Sequence, residues 1–154
     1  MLLDIIIINW NTCELLLQCL RSLDKVKLFS KHRIIVVDNG SSDGSAKEVS
    51  DNRPDVILIE NHENYGFAKG NNIGICQSQS EYVCLINSDV IVLDGCIESL
   101  IDFMISHTDV GMIGPKLLNA DGSFQLSCKR FPTVWNAFCM AVGLHRVFPK
   151  SRYF

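Results

Sequence analysis

Five short apolar runs, each bounded by polar turn residues, limit what this chain can fold into: Ile5 to Ile8, Ile34 to Val37, Val56 to Ile59, Tyr82 to Ile86 and Val110 to Ile113. They read as strands. Between them lie longer stretches with helical spacing, such as Leu15, Leu16, Cys19, Leu20 and Leu23, or Ile97, Leu100, Ile101, Met104 and Ile105. Strand therefore alternates with helix. The strands are continuous Ile/Val runs, which is expected where helices cover both faces of a mainly parallel sheet. The predicted fold is a doubly wound α/β sheet, with ligands gathering at the carboxyl ends of the strands near a change in strand order. A length of 154 residues with 47% hydrophobic residues is enough for one compact core.

After Ile113 the pattern changes. Gly114-Pro115 breaks the chain, and Asn119-Ala120-Asp121-Gly122 predicts a turn joining 116–118 to 123–127 in a hairpin, before a final helix from Thr133 to about Arg146. All 17 acidic residues lie at or before Asp121, whereas Lys129, Arg130, Arg146, Lys150 and Arg152 follow without one. Interleaved with Phe131, Val134, Trp135, Phe138, Val142 and Phe148, these cations suit an anionic membrane surface, although a covered helix is the plainer reading of the apolar stripe. The division expected is a ligand-binding domain over 1–128 and a basic apolar tail over 129–154. Seven cysteines, none in a Cys-x-x-Cys pair, read as reduced and mostly buried thiols. The residues before Asn9 are too few for a signal peptide's apolar region or a spanning helix, so the expected location is cytoplasmic, at the inner face of a membrane if the tail binds one. Nucleic acid is not an expected partner.

Three polar clusters stand where strands end. The first strand runs into Asn9-Trp10-Asn11, and the second into Asp38-Asn39-Gly40-Ser41-Ser42-Asp43-Gly44-Ser45. Asp38 suits a nucleobase imide or ribose hydroxyl; turn chemistry and helix capping by Ser42, Asp43 or Ser45 are the plainer alternative. Next, 61–74 places three glycines and four asparagines around a helix start, including Asn64, Gly66, Phe67, Lys69 and Asn71. Each interior glycine costs about 1 kcal/mol against alanine, so Gly70 and Gly74 point to close approach by a strand, helix or ligand. Lys69 suits a phosphate, while His62 reads as a loop histidine. No phosphate-cradling Gly-x-x-x-x-Gly-Lys-Ser/Thr motif is present, nor a Gly-x-Gly-x-x-Gly after the first strand, which argues against a nucleoside triphosphatase or a nicotinamide enzyme. The fourth strand ends in Asn87-Ser88-Asp89. A carboxylate there suits a hard divalent cation completed by water and phosphate oxygens, with Asn87 projecting to the same side; capping of a helix beginning near Asp94 is the alternative.

In this order, these segments resemble family 2 glycosyltransferases of the A-type fold, particularly rhamnosyltransferase-like members. The motifs are Val36-Val37-Asp38-Asn39-Gly40-Ser41-Ser42-Asp43-Gly44, the segment from Asn64 to Gly74, and Leu85-Ile86-Asn87-Ser88-Asp89, followed by Gly111 to Leu117 and Asp121-Gly122-Ser123. The resemblance implies a nucleoside diphosphate sugar as donor, nucleoside contacts from Asn9 and Asp38, and a donor site that also includes Asn11, Asn39, Asn64, Gly66, Phe67, Lys69, Asn71, Asn87 and Ser88. It implies that Asn87 and Asp89 form the Asp-x-Asp element, with Asp89 binding Mg²⁺ or Mn²⁺. Asparagine in place of the first aspartate removes one negative charge and should weaken metal binding. The implied reaction is an inverting transfer of a sugar, with rhamnose a candidate, to a polysaccharide or lipid-linked acceptor.

In this family the general base is an acidic residue well past the hairpin, and nothing after Asp121 is acidic. The resemblance therefore predicts a donor-binding half, with no catalytic base in the chain and that residue expected beyond Phe154. A non-catalytic nucleotide-sugar-binding, membrane-binding or partner-binding domain is the alternative. A nucleotidyltransferase would need a Gly-rich, Arg- or Lys-bearing loop after the first strand, which Asn9-Trp10-Asn11-Thr12 does not supply.

Overall fold

A computed structural model describes residues 3–26, 32–127 and 133–143. Four of the five predicted strands form: β1 (Leu3–Asn9), β2 (His32–Asp38), β3 (Val56–Glu60) and β4 (Tyr82–Asn87). All pairings are parallel, in the order β3-β2-β1-β4. The chain thus winds outward from β1 to β3 and then crosses to the other side of β1. Strand order reverses between β1 and β4, where a doubly wound sheet opens a crevice.

Helices α1 (Cys13–Lys25), α2 (Ser45–Asn52) and α3 (Gly66–Gln77) fill the connections, and α4 (Cys96–Ser106) follows β4. Because strand residues alternate between faces, the isoleucine run of β1 feeds two cores. Leu3, Ile5 and Ile7 join Ile34 and Val36 against Leu16, Leu20 and Leu23 of α1, Val49 of α2 and Ile97 and Ile101 of α4. Ile6 and Ile8 join Ile35 and Val37 on the opposite face, beneath Ile73 of α3. Burial of β1 on both faces explains its unbroken apolar sequence.

Gly74 shows why α3 tolerates glycine. A Cβ there would lie 2.5 Å from Ile6 Cγ2 and 3.2 Å from Val37 Cγ2, so the helix seats on the sheet only without a side chain. At Gly70 a Cβ would lie 3.1 Å from Asn39 Nδ2. The close approach expected of both glycines comes from the sheet and from the Asn39 side chain.

Residues Val110–Ile113 do not form the expected strand, and Met112 is 89% exposed. An apolar run becomes a strand only when its backbone finds a ladder, and no described neighbour supplies one. The chain groups into two compact units, Met1–Ile113 and Gly114–Phe154. In the second, the predicted hairpin contracts to one antiparallel bridge, Leu118 to Phe124, closed by Asn119 N donating to Ser123 O at 2.8 Å. Helix α5 (Val134–Ala141) occupies the described part of the predicted final helix. Lys129, Arg130, Phe131, Arg146, Phe148, Lys150 and Arg152 lie outside the described residues.

Among the described residues no cysteine forms a disulfide. Cys19 and Cys139 are buried, but Cys13, Cys84 and Cys96 are half-buried and Cys76 is exposed, so the expectation of mostly buried thiols holds only in part. Helix position decides this: Cys19 faces the core, whereas Cys76 falls on the open side of α3. Burial raises the Cys19 thiol to about 12 and the Cys84 thiol to about 11.

Candidate functional site

The carboxyl end of the sheet opens into a cavity of about 330 Å³ lined by the ends of β1 and β4, the turn after β2 and the start of α3. It brings together seven of the sequence-predicted residues: Asn39, Asn64, Gly66, Phe67, Asn87, Ser88 and Asp89. It lies at the β1–β4 switch point, where the topology calls for a ligand site.

Local structure fixes the far wall. Asn64 Oδ1 accepts from Gly66 N at 2.8 Å, satisfying a donor at the start of α3, and Gly66 takes a φ of +78°. Asn39 is buried, its Oδ1 accepting from Asn61 Nδ2 at 2.8 Å and its Nδ2 donating to the Gly66 carbonyl at 3.3 Å. The asparagine-rich segment is thus knitted to the turn after β2 by amide contacts, and the Phe67 ring, 60% exposed, stands over the opening.

Asn9 and Asp38 sit behind this wall. They are register partners at the end of the β1–β2 ladder, and Asn9 Nδ2 donates to Asp38 Oδ1 at 2.7 Å. Asp38 also accepts from Ser41 N at 2.8 Å and from Ser41 Oγ at 2.6 Å, so a nearly inaccessible carboxylate is fully engaged by the protein. Asn11 (φ 53°) accepts from Ser42 N at 2.8 Å, lacing the first turn to the second. Asp43 accepts from Cys13 N, from Ser45 N and from the Ser45 hydroxyl, tying the starts of α1 and α2 together. Partial desolvation opposes ionisation of Asp43, yet these hydrogen bonds hold its carboxyl below the usual range. The helix-capping alternative for this turn is met by Asp43 alone; the N-cap of α2 itself is Gly44.

Lys69 and Asn71 do not line the cavity. The Lys69 ammonium lies 3.5 Å from the centre of the Tyr65 ring, a cation–π contact. Asn71 is buried on α3, where Nδ2 donates to the Phe67 carbonyl at 2.9 Å and Oδ1 has no partner. His62 is exposed, as a loop histidine should be.

Asp89, unlike Asp38 and Asp43, is not engaged by the protein. It is exposed at the cavity and makes no hydrogen bond or ion pair with a described residue. It caps no helix, since α4 begins only at Cys96 behind Gly95. Among the described residues no three His, Cys, Asp or Glu side chains cluster as a self-sufficient metal cage. One free carboxylate beside the Asn87 amide instead offers hard oxygen donors that fit Mg²⁺ or Mn²⁺ when water and phosphate oxygens complete the shell.

Trp10, Thr12, Leu15 and Ile8 also line the cavity, and sequence reading assigned them no role there. Trp10 carried the one usable signal: a large aromatic between two asparagines at a strand end is hard to bury, and it is 53% exposed.

The comparisons with known proteins agree with this geometry. A family model described as "Glycosyl transferase family 2" matches residues 4–143. Glycosyltransferase GlyG of Streptococcus pneumoniae is 30% identical over 127 residues, covering 79% of this chain and 41% of that protein. The N-acetylglucosaminyl-diphospho-decaprenol L-rhamnosyltransferase of Mycobacterium tuberculosis is 27% identical, covering 74% of this chain and 39% of its own length. The chain therefore spans about two-fifths of these relatives. Among solved structures, S. aureus TarS 1–349 in complex with UDP-GlcNAc superposes with a TM-score of 0.63 at 23% identity, over 70% of this chain and 32% of that one. The mannosyltransferase PcManGT from Pyrobaculum calidifontis, in complex with GDP-Man and Mn²⁺, gives 0.54 at 22% identity, over 64% and 30%. The open carboxylate at the switch point of a parallel sheet and the match along nearly the whole sequence lead to one conclusion: this chain belongs to glycosyl transferase family 2.

Proposed function

We propose that this chain binds a nucleoside diphosphate sugar in the cavity between β1 and β4 and serves sugar transfer to a saccharide or lipid-linked acceptor. The observation that carries the reading is the placement of unpaired Asp89 in one cavity with Asn39, Asn64, Phe67 and Asn87 at the β1–β4 switch point. Asn64 presents its amide nitrogen at the nucleoside end, Asn39 braces that wall through both of its amide atoms, and Trp10 and Phe67 offer ring faces to a planar base. Asn9, Asn11 and Asp38 hold the two turns from behind, while Lys69 and Asn71 support the α3 wall. Asn87 and Asp89 would hold Mg²⁺ or Mn²⁺, which when bound stabilises the charge of a departing diphosphate. Displacement at the anomeric carbon with inversion, and rhamnose as a candidate sugar, belong to the same proposal; the rhamnosyltransferase relative supports the latter. Deprotonation of the acceptor hydroxyl requires a general base.

No described helix is long and apolar enough to cross a membrane. In the second unit, α5 exposes Val134, Trp135 and Phe138, which supports peripheral contact at the inner membrane face through 129–154. The domain division proposed remains a donor-binding region over 1–128, followed by the start of an acceptor region.

Calorimetry with UDP and GDP, each with and without Mn²⁺, tests the reading. Binding of at least one that tightens with the metal is expected; a folded sample that binds neither overturns it.

A further inference from the structure

Resting on that donor-site reading, we propose that Thr12 is a positioning residue, the middle of a one-way hydrogen-bond chain Ser88→Thr12→Asn9→Asp38 that holds the Asp89 turn and leaves Ser88 facing the ligand as an acceptor only. The links are Ser88 Oγ to Thr12 Oγ1 at 2.8 Å, Thr12 Oγ1 to Asn9 Oδ1 at 2.7 Å, and Asn9 Nδ2 to Asp38 Oδ1 at 2.7 Å. They join the ends of three strands, β2, β1 and β4.

The direction follows from the chemistry of the two ends. A carboxylate is acceptor-only, so the Asn9 atom facing Asp38 must be the NH₂ group, and contacts from the same nitrogen to Ser41 Oγ at 3.1 Å and Ser45 Oγ at 2.9 Å agree. The other Asn9 atom is then a carbonyl oxygen, and only the Thr12 hydroxyl can donate to it. With its one proton committed, Thr12 must accept from Ser88, and the Ser88 proton is spent in turn. Ser88 is 8% exposed yet lines the cavity. What it offers there is a lone pair. It can accept from a ribose or sugar hydroxyl or from metal-bound water, and cannot donate to a phosphate oxygen without breaking the chain.

The same side of α1 holds the rest of the turn. Cys19 Sγ donates to the Asn87 carbonyl at 3.8 Å, and Ser22 Oγ accepts from Val92 N at 3.0 Å while donating to the Cys19 carbonyl. Thr12, the N-cap of α1, and Cys19 and Ser22 within it are seven and three residues apart, so one side of the helix and its cap brace the segment carrying Asp89.

The test compares Thr12→Val, Thr12→Ser and Ser88→Ala with the parent chain. The first readout is the ratio of UDP or GDP affinity with Mn²⁺ to that without it. The second is hydrogen exchange of the Ser88, Asp89 and Val90 amides without any nucleotide. Thr12→Val keeps shape but removes both links, and Ser88→Ala removes only the last. Each should lower the metal-dependent ratio about tenfold, the scale of one lost hydrogen bond. Thr12→Ser should restore it, and faster amide exchange should accompany Thr12→Val alone among the threonine variants. An unchanged ratio in Thr12→Val, or a loss confined to Ser88→Ala, overturns the chain. If the parent chain folds but binds neither nucleotide, the proposed function falls, and exchange decides the inference: equal rates in Thr12→Val and the parent overturn it.

Discussion

The two ends of the β1–β2 ladder carry one buried aspartate each, and the carboxyl end adds a third, Asp89, that is treated in the opposite way. At the amino end, Asp4 faces its register partner Arg33 and accepts from Arg33 Nε at 2.9 Å and Nη2 at 2.6 Å, from Ser78 Oγ at 2.7 Å and from Gln79 N at 3.1 Å. At the carboxyl end, Asp38 is likewise saturated by Asn9 and Ser41. Both are consumed in structure, because a buried carboxylate without partners is too costly to keep. Asp89 stands in water with open lone pairs. An acid whose bonds are all internal stabilises a fold; one left open at the mouth of a parallel sheet is available to a ligand.

Three substitutions or conditions probe that contrast, in descending size of effect on stability. Asp4→Ala should cost about 3 kcal/mol, since it strands the Arg33 guanidinium and leaves the Ser78 and Gln79 donors unpaired. Urea denaturation of the variant measures this, and a cost near zero would dissolve the distinction between the two ends. Acid should erase part of the same term. The Arg33 guanidinium, opposed by burial, holds the Asp4 carboxyl below its ordinary 3.8. A depressed carboxyl contributes stability that is complete above the ordinary value and is lost as pH falls through the folded one. The gap between the parent chain and Asp4→Asn should therefore narrow as pH drops below about 4 and stay constant above about 5. Asp89→Ala is the smallest effect on folding, within about 0.5 kcal/mol, because nothing internal depends on that carboxylate. It should nevertheless abolish metal-dependent nucleotide binding, read by thermal shift with and without Mn²⁺. A destabilised Asp89→Ala protein would place that acid with the other two.

Much of this was legible in the chain itself. Continuous Ile/Val runs forecast a parallel sheet covered on both faces; β1 is buried on both, whereas β4 leaves Val83 and Leu85 exposed on one. The glycines of α3 forecast close approach, and Gly74 lies against Ile6 and Val37. The fifth apolar run misled because hydrophobicity marks a segment that needs covering, and a strand also requires a neighbour to pair with. Within the candidate site, sequence reading named Asn39, Asn64, Phe67 and Asp89, which line the cavity, and also Asp38, Lys69 and Asn71, which do not. Their residue types permit ligand contact; their backbone positions turn Asp38 toward Asn9, Lys69 toward Tyr65 and Asn71 toward the Phe67 carbonyl. Thr12 was invisible as a functional residue, since its partners, three positions before it and 76 after it, meet only across the sheet end.

The order of apolar runs and polar strand ends thus determined the sheet class and the end that carries the candidate site, because periodicity and turn chemistry are local properties of the chain. Which acid was spent and which remained open was decided by tertiary structure alone. Parallel register sets Asp4 beside Arg33 and Asn9 beside Asp38 across 29 residues, while the crossover to β4 brings Asp89 to the cavity without a partner. Saturation of a carboxylate depends on donors brought from distant sequence, and no local pattern records where they arrive.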